Sequence, residues 1–492
     1  MPHRSILKHN RQSLAALFRA VLPSGAVLAQ NEDMRPYECD GLSAYHNLPL
    51  LVVLPEDSTQ VQAVLQLCHQ HRIPVVARGA GTGLSGGALP ISNGVLLSLA
   101  KLNRILDIDP LNRVARLQPG VRNLAISDAA LAHGLFYAPD PSSQIACTIG
   151  GNVAENAGGV HSLKYGLTVH NVQQLKVLTI EGEPITLGGS GLDGPGYDLL
   201  ALMSGSEGML GVVVEVTVRL LPRPQQSNVI LAAFDQVAAA AEAVSRIIAT
   251  GIIPSGLEMM DNPAIRAAEA FVGAGYPLDA AAILLCELDG SEEEVSEQRQ
   301  QVEQILRACH ATTLRIAQDD EQKQLLWKGR KAAFPAVGRL SPDYYCMDGT
   351  IPRHRLPEVL TRIAQLSEQY KLPVANVFHA GDGNLHPLIL YDANIPGELQ
   401  RTETLGGHIL ELCVEVGGTI TGEHGVGIEK INQMCVQFNP CELEYFHAVK
   451  QAFDEHKLLN PGKAVPTLHR CAELGAMHVH NGELPHPHLE RF

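Results

Sequence analysis

Hydrophobic and polar positions follow two different patterns along this chain, and the change falls near residue 225. Before it, short apolar runs separated by turn residues predict buried strands. These runs cover residues 50–54, 73–77, 95–99 and 114–117. Residues 212–221 alternate between apolar and polar side chains, which predicts a strand with one buried face. A helix with Ser58 or Thr59 as its N-cap is predicted between the first two runs.

A proline-rich segment beginning at Pro222 leads into a part in which longer helical patterns alternate with strands. Helices are predicted at residues 237–250, 292–310, 356–370, 401–416 and 440–457, and strands at residues 281–287 and 374–379. This mixture predicts an α+β fold. The chain is therefore divided into an N-terminal helical segment (1–47), a first domain (48–224), a second domain (225–466) and a C-terminal tail (467–492).

The composition excludes some classes of function. The 492 residues carry a net charge of −15, whereas a nucleic-acid partner requires clustered Lys and Arg. No apolar run approaches the roughly 20 residues that span a bilayer, so no transmembrane segment is expected. No secretory signal is visible at the N-terminus, and a cytoplasmic location is expected.

Residues 78–87, with the sequence RGAGTGLSGG, follow the second predicted strand. Consecutive glycines allow several backbone N–H groups to converge on one point, which suits the phosphates of a nucleotide. Gly81, Gly83 and Gly86 match the spacing of the dinucleotide-binding fingerprint, but that fingerprint opens a helix. Here Gly86 leads through Pro90 into another predicted strand, which excludes an NAD-binding Rossmann loop.

A second stretch rich in small residues comes later in the first domain. It comprises residues 139–143 (PDPSS), 148–159 (TIGGNVAENAGG) and 164–166 (KYG). Backbone of this kind can approach a flat ring closely and offer N–H and C=O groups to its polar edge. The two stretches, followed by residues 206–213 (SEGMLGVV), resemble the FAD-binding domain of vanillyl-alcohol-oxidase-type flavoproteins.

The resemblance implies a two-lobed FAD-binding domain over residues 48–224 and gives individual residues a role. The residues expected to line the FAD pyrophosphate are Arg78, Gly79, Ala80, Gly81, Thr82, Gly83, Ser85 and Gly86. Those expected to line the flavin are Pro139, Asp140, Ser143, Gly150, Asn152, Asn156 and Gly159, with Glu207 and Val212 nearer its far end. Members of this family with covalent flavin carry a histidine in the first loop. This loop has none, so non-covalent FAD is expected.

Two segments of the second domain suggest a metal site. His379 and His386 lie seven residues apart in FHAGDGNLHP, and the turn signal at residues 380–383 predicts that the chain folds back and brings both imidazoles together. Later, GGTITGEHGVG places Glu423 beside His424. Two histidines and a carboxylate suit Zn²⁺ or another borderline divalent ion, with positions left open for substrate. Unrelated surface or core histidines are the alternative explanation.

These segments resemble the C-terminal domain of FAD-linked D-2-hydroxy-acid dehydrogenases, and the whole chain is most similar to the flavin subunits of bacterial glycolate oxidases. The resemblance implies that this domain is α+β with an antiparallel sheet. It implies a divalent metal, Zn or Mn/Fe, held by His379, His386 and Glu423. It also implies that His424 is the base and that Arg330 and Asn384 bind the substrate.

Two positions depart from the hydroxyglutarate-type members of this group. Cys346 stands where those enzymes carry a lysine, and Leu388 replaces a polar residue. The loss of polar groups suited to a second carboxylate favours a small 2-hydroxy acid. The expected reaction is oxidation of glycolate, and also of D-lactate, to glyoxylate or pyruvate by hydride transfer to flavin N5.

The sequence contains no ligand pattern for an iron–sulfur cluster or haem, so electrons are expected to leave to a partner or to quinone. The resemblance implies a second flavin-type subunit and an iron–sulfur subunit, with peripheral attachment to the inner membrane through them. Three alternatives stay open. The chain would be a D-lactate or D-2-hydroxyglutarate dehydrogenase acting alone, a non-catalytic FAD-binding subunit of a larger oxidase, or a metallohydrolase in which the glycine loops are only scaffold.

Overall fold

The computed structural model describes residues 11–191 and 194–466. The predicted tail lies outside the described residues, as do the first ten residues of the N-terminal segment. Residues 11–222 are called the N-terminal half below, and residues 226–466 the C-terminal half.

A four-stranded sheet begins the described part of the N-terminal half. Its strands are β1 (Val27–Leu28), β2 (Leu51–Val53), β3 (Val75–Arg78) and β4 (Val95–Ser98), in the spatial order β1-β2-β4-β3. The last three are parallel, and their continuous apolar runs are buried on both faces, as is usual for parallel strands. The helices around this sheet are α1 (Arg11–Arg19), α2 (Asn31–Met34) and α3 (Ser58–His71).

The N-cap predicted for helix α3 was wrong by one or two residues. Asp57 is the cap, and its carboxylate accepts a hydrogen bond of 2.9 Å from the backbone N–H of Gln60. Ser58 and Thr59 lie inside the first turn. All three side chains are good caps, so composition alone does not separate them.

The predicted N-terminal helical segment packs into the first core and contributes a strand to the first sheet. Leu14 and Phe18 of α1 are fully buried in the same core as β2 and α3. Strand β1 from the same segment pairs with β2 and closes one edge of the sheet. The segment is therefore part of the first core.

An antiparallel sheet forms the second layer of the N-terminal half, with five strands among the described residues. They are β5 (Ile105–Asp109), β6 (Val114–Leu117), β8 (Val172–Leu178), β9 (Pro184–Gly188) and β10 (Val212–Arg219), in the order β5-β6-β10-β8-β9. A short ribbon joins β7 (Leu135–Phe136) to β11 (Leu221–Pro222). The accompanying helices are α4 (Asn123–Ala130), α5 (Ile149–Glu155), α6 (Ser162–Tyr165), α7 (Thr168–Asn171) and α8 (Leu199–Met203). Strand β10 lies at the centre and alternates as predicted.

The C-terminal half is built on an antiparallel sheet with seven strands among the described residues. They are β12 (Gln226–Phe234), β13 (Gly256–Asp261), β14 (Ala282–Gly290), β15 (Thr313–Ile316), β16 (Asp343–Cys346), β17 (Val374–His379) and β18 (Asn384–Tyr391). Their spatial order is β15-β12-β14-β13-β17-β18-β16. The helices that pack on it are α9 (Val237–Ala249), α10 (Asn262–Val272), α11 (Glu292–Ala308), α12 (Asp320–Lys331), α13 (Ala333–Val337), α14 (Leu356–Tyr370) and α15 (Glu398–Glu415).

Both faces of this sheet are covered by helices. Along β12, Val229 and Leu231 enter the core shared with α10, α12 and α13. Ile230 and Ala232 enter the core shared with α9, α11, α14 and α15. Burial on both faces removes the polar alternation that marks a half-buried strand, so the sequence pattern does not predict β12.

The end of the described chain returns to the N-terminal half. After α16 (Met434–Gln437) and α17 (Pro440–Phe453), Leu458 accepts a hydrogen bond from the N–H of Val75, and the N–H of Asn460 donates to Val75, each at 2.8 Å. Elements are thus shared across the predicted domain boundaries, which stay predictions. In the part of the chain that the structure describes, no helix has the length and apolarity needed to cross a membrane.

A polar junction joins the two halves beside helix α6. Asp289 accepts hydrogen bonds from Lys164 Nζ at 2.5 Å and from the hydroxyl of Tyr165 at 2.6 Å. Close by, the indole N–H of Trp327 donates to Glu287 Oε2 at 2.6 Å, and His161 lies 3.4 Å from the same oxygen. Burial lowers the pKa of His161, but the carboxylates on either side outweigh it and raise the pKa to about 10.

Substituting Glu287→Ala is expected to weaken this junction by about 1 kcal/mol, because it leaves the partly buried Trp327 N–H without its acceptor. Trp327 is the single tryptophan of the chain, so its fluorescence reports the change directly. We expect emission at longer wavelength and a lower melting temperature. Glu297→Ala, at an exposed position of α11, is the control. Unchanged emission and melting in the Glu287 variant would contradict the role given to this contact.

Candidate active site

The hairpin of β17 and β18 brings His379 and His386 together, as the turn signal predicts. The strands are antiparallel, with His379 opposite Asn384 and Val377 opposite His386. The turn between them contains Gly383 with φ of +83°, a conformation that favours glycine. The two imidazole ring centres lie 5.0 Å apart.

Glu423 completes the cluster from the loop that follows α15. Its Oε1 lies 3.1 Å from Nε2 of His379 and 3.1 Å from Nε2 of His386. On the other side of each ring, Nδ1 of His379 lies 2.8 Å from Glu258 Oε1, and Nδ1 of His386 lies 3.3 Å from the carbonyl oxygen of Met347. Acceptors at both Nδ1 atoms orient the two rings, so that their Nε2 lone pairs would point toward a cation that displaces the Nε2 protons. The three donors suit a divalent cation.

Charge in this cluster is balanced between neighbours. Burial raises the pKa of Glu423, but the facing imidazoles of His379 and His386 outweigh it and hold the pKa well below its usual range. Burial likewise raises the pKa of Glu258, and His379 and Arg330 more than compensate. Both carboxylates are therefore anionic and available to a cation or to its ligands.

The loop that carries Glu423 and His424 is organised by Asp348. This fully buried carboxylate accepts hydrogen bonds from the backbone N–H groups of Gly422 and His424, each at 3.0 Å. It also accepts the hydroxyl of Thr421 at 2.6 Å and the side-chain amide of Asn384 at 3.0 Å. Asp348 thus determines where the two functional side chains of the loop point.

A second contact holds the same loop from the N-terminal half. The Glu207 carboxylate accepts the N–H groups of Val426 and Gly427, each at 2.7 Å. The carbonyl oxygen of Ser85 accepts the N–H groups of Ile428 at 2.9 Å and Glu429 at 3.1 Å. The two halves therefore meet at this loop.

His424 stacks on His386, with ring centres 4.8 Å apart and ring planes 11° from parallel. Burial lowers the pKa of His424 to about 4, and the nearby His386 and Lys430 act in the same direction. The imidazole is neutral at physiological pH and has a lone pair to accept a proton.

A cavity of about 490 Å³ runs from the glycine-rich loops to this cluster. His379, His386, Glu423 and His424 all line it. Of the residues predicted to bind FAD, those in the wall are Arg78, Gly79, Ala80, Gly81, Thr82, Gly83, Ser143, Gly150, Asn152, Glu207 and Val212. Both predicted loops and both halves of the chain therefore face one space.

The remaining residues predicted to bind FAD are outside the described wall and support it. Gly159, with φ of +147°, packs against the backbone of Asp140, where a Cβ would lie 2.5 Å from the carbonyl oxygen. The carbonyl oxygen of Pro139 accepts a hydrogen bond from Asn123, and Asn156 Oδ1 accepts one from Val169. Ser85 and Gly86 contact the segment from Gly427 to Glu429, as described for Ser85 above.

The first loop fits a phosphate through its backbone. Gly81 has φ of +72°, and the Arg78 guanidinium lies where its Cβ would project. Arg78 Nη1 donates to the carbonyl oxygen of Cys39 at 2.6 Å, so this cation supports the loop from beneath. Within residues 11–191 and 194–466, the N–H groups of residues 79–83 donate to no other residue, and Thr148 Oγ1 is buried without a partner. Unpaired donors in a glycine-lined wall suit phosphate oxygens.

Arg330 and Asn384 lie beside the cavity and are not among its wall residues. Arg330 is fully buried, and its Nη2 lies 2.5 Å from Glu258 Oε2. Its Nε and Nη1 are buried without a hydrogen-bond partner in the described structure. The next residue, Lys331, does line the cavity, with its Nζ 3.1 Å from Asp140.

The fold is that of vanillyl-alcohol-oxidase-type proteins, with the cavity between the glycine-rich loops and the antiparallel sheet of the C-terminal half. Two solved structures share the fold, each with a TM-score of 0.76. One is p-cresol methylhydroxylase with substrate bound, 18% identical, covering 93% of this chain and 97% of that one. The other is 4-ethylphenol oxidase from Gulosibacter chungangensis, 16% identical, covering 93% and 98%. The predicted α+β fold is confirmed.

The chain belongs to the FAD-linked oxidases. Residues 49–188 match the FAD binding domain, and residues 223–464 match the C-terminal domain of FAD linked oxidases. Glycolate oxidase subunit GlcD of Escherichia coli (strain K12) is 66% identical over 483 residues, covering 98% of this chain and 97% of that protein. Subunit GlcD of Bacillus subtilis (strain 168) is 40% identical, covering 87% and 91%. D-lactate dehydrogenase of Anaerostipes hadrus is 32% identical, covering 91% and 96%. The predictions that the cofactor is FAD and that the protein is an FAD-dependent oxidoreductase are confirmed.

Sequence reasoning missed several residues of the site. Thr148, Glu155 and Lys331 line the cavity, the first two within the glycine-rich residues 148–159 and the third next to Arg330. The sequence does not indicate Glu258 or Asp348 as site residues, because a single carboxylate inside or next to an apolar strand forms no recognisable pattern. Their role follows only from the partners they meet in space.

Substituting Asp348→Asn is expected to loosen the loop from Thr421 to His424, because an amide cannot accept from all of these donors. Leaving buried N–H groups unpaired costs about 1–3 kcal/mol. Amide hydrogen exchange in this loop, followed by mass spectrometry, is therefore expected to become about ten- to a hundredfold faster. Asp343→Asn, on the same strand β16, is the control. Exchange that stays at the wild-type rate in the Asp348 variant would refute its positioning role.

Proposed function

We propose that this protein oxidises a small 2-hydroxy acid, glycolate with D-lactate as a further substrate, to the corresponding 2-oxo acid. The observation that carries the proposal is the single cavity shared by the glycine-rich loops and the cluster of His379, His386, Glu423 and His424. It puts a base and an ion-binding set next to the place where the FAD ring would lie. The names of the relatives from Escherichia coli, Bacillus subtilis and Anaerostipes hadrus support the choice of glycolate and D-lactate.

Each group of the site has one task in this proposal. FAD, when bound, supplies the acceptor for the hydride that leaves C2 of the substrate. A divalent cation on His379, His386 and Glu423 would lower the pKa of the substrate 2-hydroxyl. His424 takes the hydroxyl proton, since its neutral imidazole has a free lone pair at physiological pH. Loss of the proton and the hydride leaves a C=O bond at C2.

The substrate carboxylate requires a cation in an acidic protein. We assign it to Arg330, because Nε and Nη1 are buried donors without a protein acceptor. Glu258 ties this guanidinium to the cluster, since one of its oxygens meets Arg330 and the other meets His379. Lys331 offers a second positive charge at the cavity wall, and Asn384 remains a candidate for the hydroxyl side.

The preference for a small substrate is inferred from two residues on the same sheet as His386. Cys346 and Leu388 face each other across β16 and β18 and are both buried. Neither side chain can pair with a second carboxylate, so a dicarboxylate such as D-2-hydroxyglutarate would leave one charge unpaired in a buried site. A monocarboxylate avoids this cost.

Reoxidation is proposed to involve partners. The relatives in Escherichia coli and Bacillus subtilis are named as subunits, which supports an assembly with a second flavin-type subunit and an iron–sulfur subunit. Such partners would carry electrons onward to quinone and would attach the protein peripherally to the inner membrane.

The test is anaerobic mixing of the purified holoenzyme with a panel of 2-hydroxy acids while flavin absorbance is followed. Glycolate and D-lactate are expected to bleach the flavin. D-2-Hydroxyglutarate is expected to react at least about tenfold more slowly, because an unpaired buried charge costs more than 1.4 kcal/mol. A flavin that no 2-hydroxy acid bleaches would refute the proposal and favour a non-catalytic FAD-binding subunit.

Substituting His424→Ala is expected to slow flavin reduction by glycolate about 10²–10⁴-fold, the usual contribution of a general base. The bound FAD should remain, because the cofactor is held by the N-terminal half. His354→Ala, at an exposed position, is the control. Reduction at the wild-type rate in the His424 variant would refute the assignment of the base.

Substituting Glu258→Gln is expected to lower the affinity for a divalent ion about 10–100-fold, as loss of an outer carboxylate partner does elsewhere. Competition with a chromophoric chelator measures this affinity without turnover. Glu269→Gln, on helix α10, is the control. Removal of the ion with a stronger chelator should abolish flavin reduction by glycolate, and added Zn²⁺ or Mn²⁺ should restore it. Full activity of ion-free protein would exclude the metal.

A further inference from the structure

A second set of ligand atoms lies next to the cluster of His379, His386 and Glu423. It consists of the thiol of Cys346 and one ring nitrogen each of His386 and His424, all within 4.8 Å of one another. Cys346 is the last residue of β16, and its neighbour Met347 provides the carbonyl oxygen that faces His386 Nδ1. The thiol is therefore held at the edge of the ion-binding cluster by the same sheet that carries His386.

Two observations show that atoms of this set are available to bind a cation. Nδ1 of His424 is buried and has no hydrogen-bond partner in the described structure. The Cys346 thiol belongs to a residue that is 4% exposed, and within residues 11–191 and 194–466 its one acceptor is the carbonyl oxygen of Met347 at 3.3 Å. The unpartnered buried nitrogen favours a cation, whereas burial raises the pKa of the Cys346 thiol, so the sulfur–metal bond has to compensate for loss of the thiol proton.

The chemistry of the two sets differs. Two imidazoles with a carboxylate suit borderline or harder divalent ions. A thiol with two imidazoles selects softer ions, since sulfur is the preferred ligand of Zn²⁺ and of still softer cations. Because His386 belongs to both sets, an ion in the second set would lie directly beside the first set.

We propose that Cys346, His386 and His424 form a second, thiophilic cation site, which takes Cd²⁺ or excess Zn²⁺. On binding, the thiol proton is released to solvent and a sulfur–metal bond forms, with no change of oxidation state. The ion also occupies a nitrogen of His424. A consequence that rests on the proposed function is that the occupied site blocks the base and stops oxidation of the substrate.

The site itself is tested by X-ray absorption at the cadmium edge, on FAD-loaded protein with one equivalent of Cd²⁺ added. We expect sulfur in the first shell of the wild type and none in Cys346→Ala. Cys309→Ala, which removes a buried thiol at the end of α11, is the control and should keep the sulfur signal. Cys346→Ser serves as a second variant, since it preserves the side-chain size. A wild-type shell of nitrogen and oxygen alone would overturn the proposal.

The consequence is tested by inhibition of flavin reduction by glycolate, with each variant compared to its own rate without Cd²⁺. The inhibition constant is expected to rise in Cys346→Ala by at least the roughly 10–100-fold that loss of an outer partner costs, and to stay unchanged in Cys309→Ala. Equal inhibition of both variants would overturn the inhibitory role of this site. If Cd²⁺ binds sulfur but does not slow flavin reduction, the proposed cation site would stand and the assignment of His424 as the base would be contradicted.

Discussion

The loop from Thr421 to Glu429 is held by hydrogen bonds from both halves of the molecule. The positions of Glu423 and His424 in the site depend on these hydrogen bonds. On one side, the Asp348 carboxylate accepts the N–H groups of Gly422 and His424. On the other, Glu207 and the carbonyl oxygen of Ser85 accept the N–H groups of the residues that follow. Each of these acceptors is buried, so an unmade bond would leave a desolvated polar group. His424 therefore has little freedom relative to the cavity.

Holding the loop requires buried carboxylates, whose desolvation is unfavourable, and nearby lysines reduce this cost. Burial raises the pKa of Glu155 and of Glu207, which stand beside the loop. Lys430 donates to the carbonyl oxygen of Gly425 at 2.8 Å and lies 3.0 Å from Glu429 and 3.5 Å from Asp348. Lys463 donates to the carbonyl oxygen of Gly87 at 2.8 Å. Buried carboxylates are tolerated where they interact with cations and backbone N–H groups. The contacts around this loop provide both.

The sequence predicts the local parts of this arrangement and misses its long-range parts. The turn between His379 and His386 is encoded within eight residues, so the pattern is sufficient to bring the imidazoles together. The contact between Glu258 and His379 joins residues 121 positions apart, and nothing in the neighbourhood of either predicts it. Most residues of the glycine-rich loops line the cavity, and their chemistry is backbone chemistry that depends little on distant side chains, so a local pattern is enough to single them out.

Buried Arg330 shows why such distant partners matter for the chemistry. An isolated guanidinium in a fully buried position would be strongly unfavourable, and Glu258 supplies only one of the contacts that its donors can make. A substrate carboxylate would satisfy the others and would bring a second negative charge close to His379. In the proposed site, Glu258 would lie between the group that binds the substrate carboxylate and the group that binds the cation, since one of its oxygens faces Arg330 and the other faces His379.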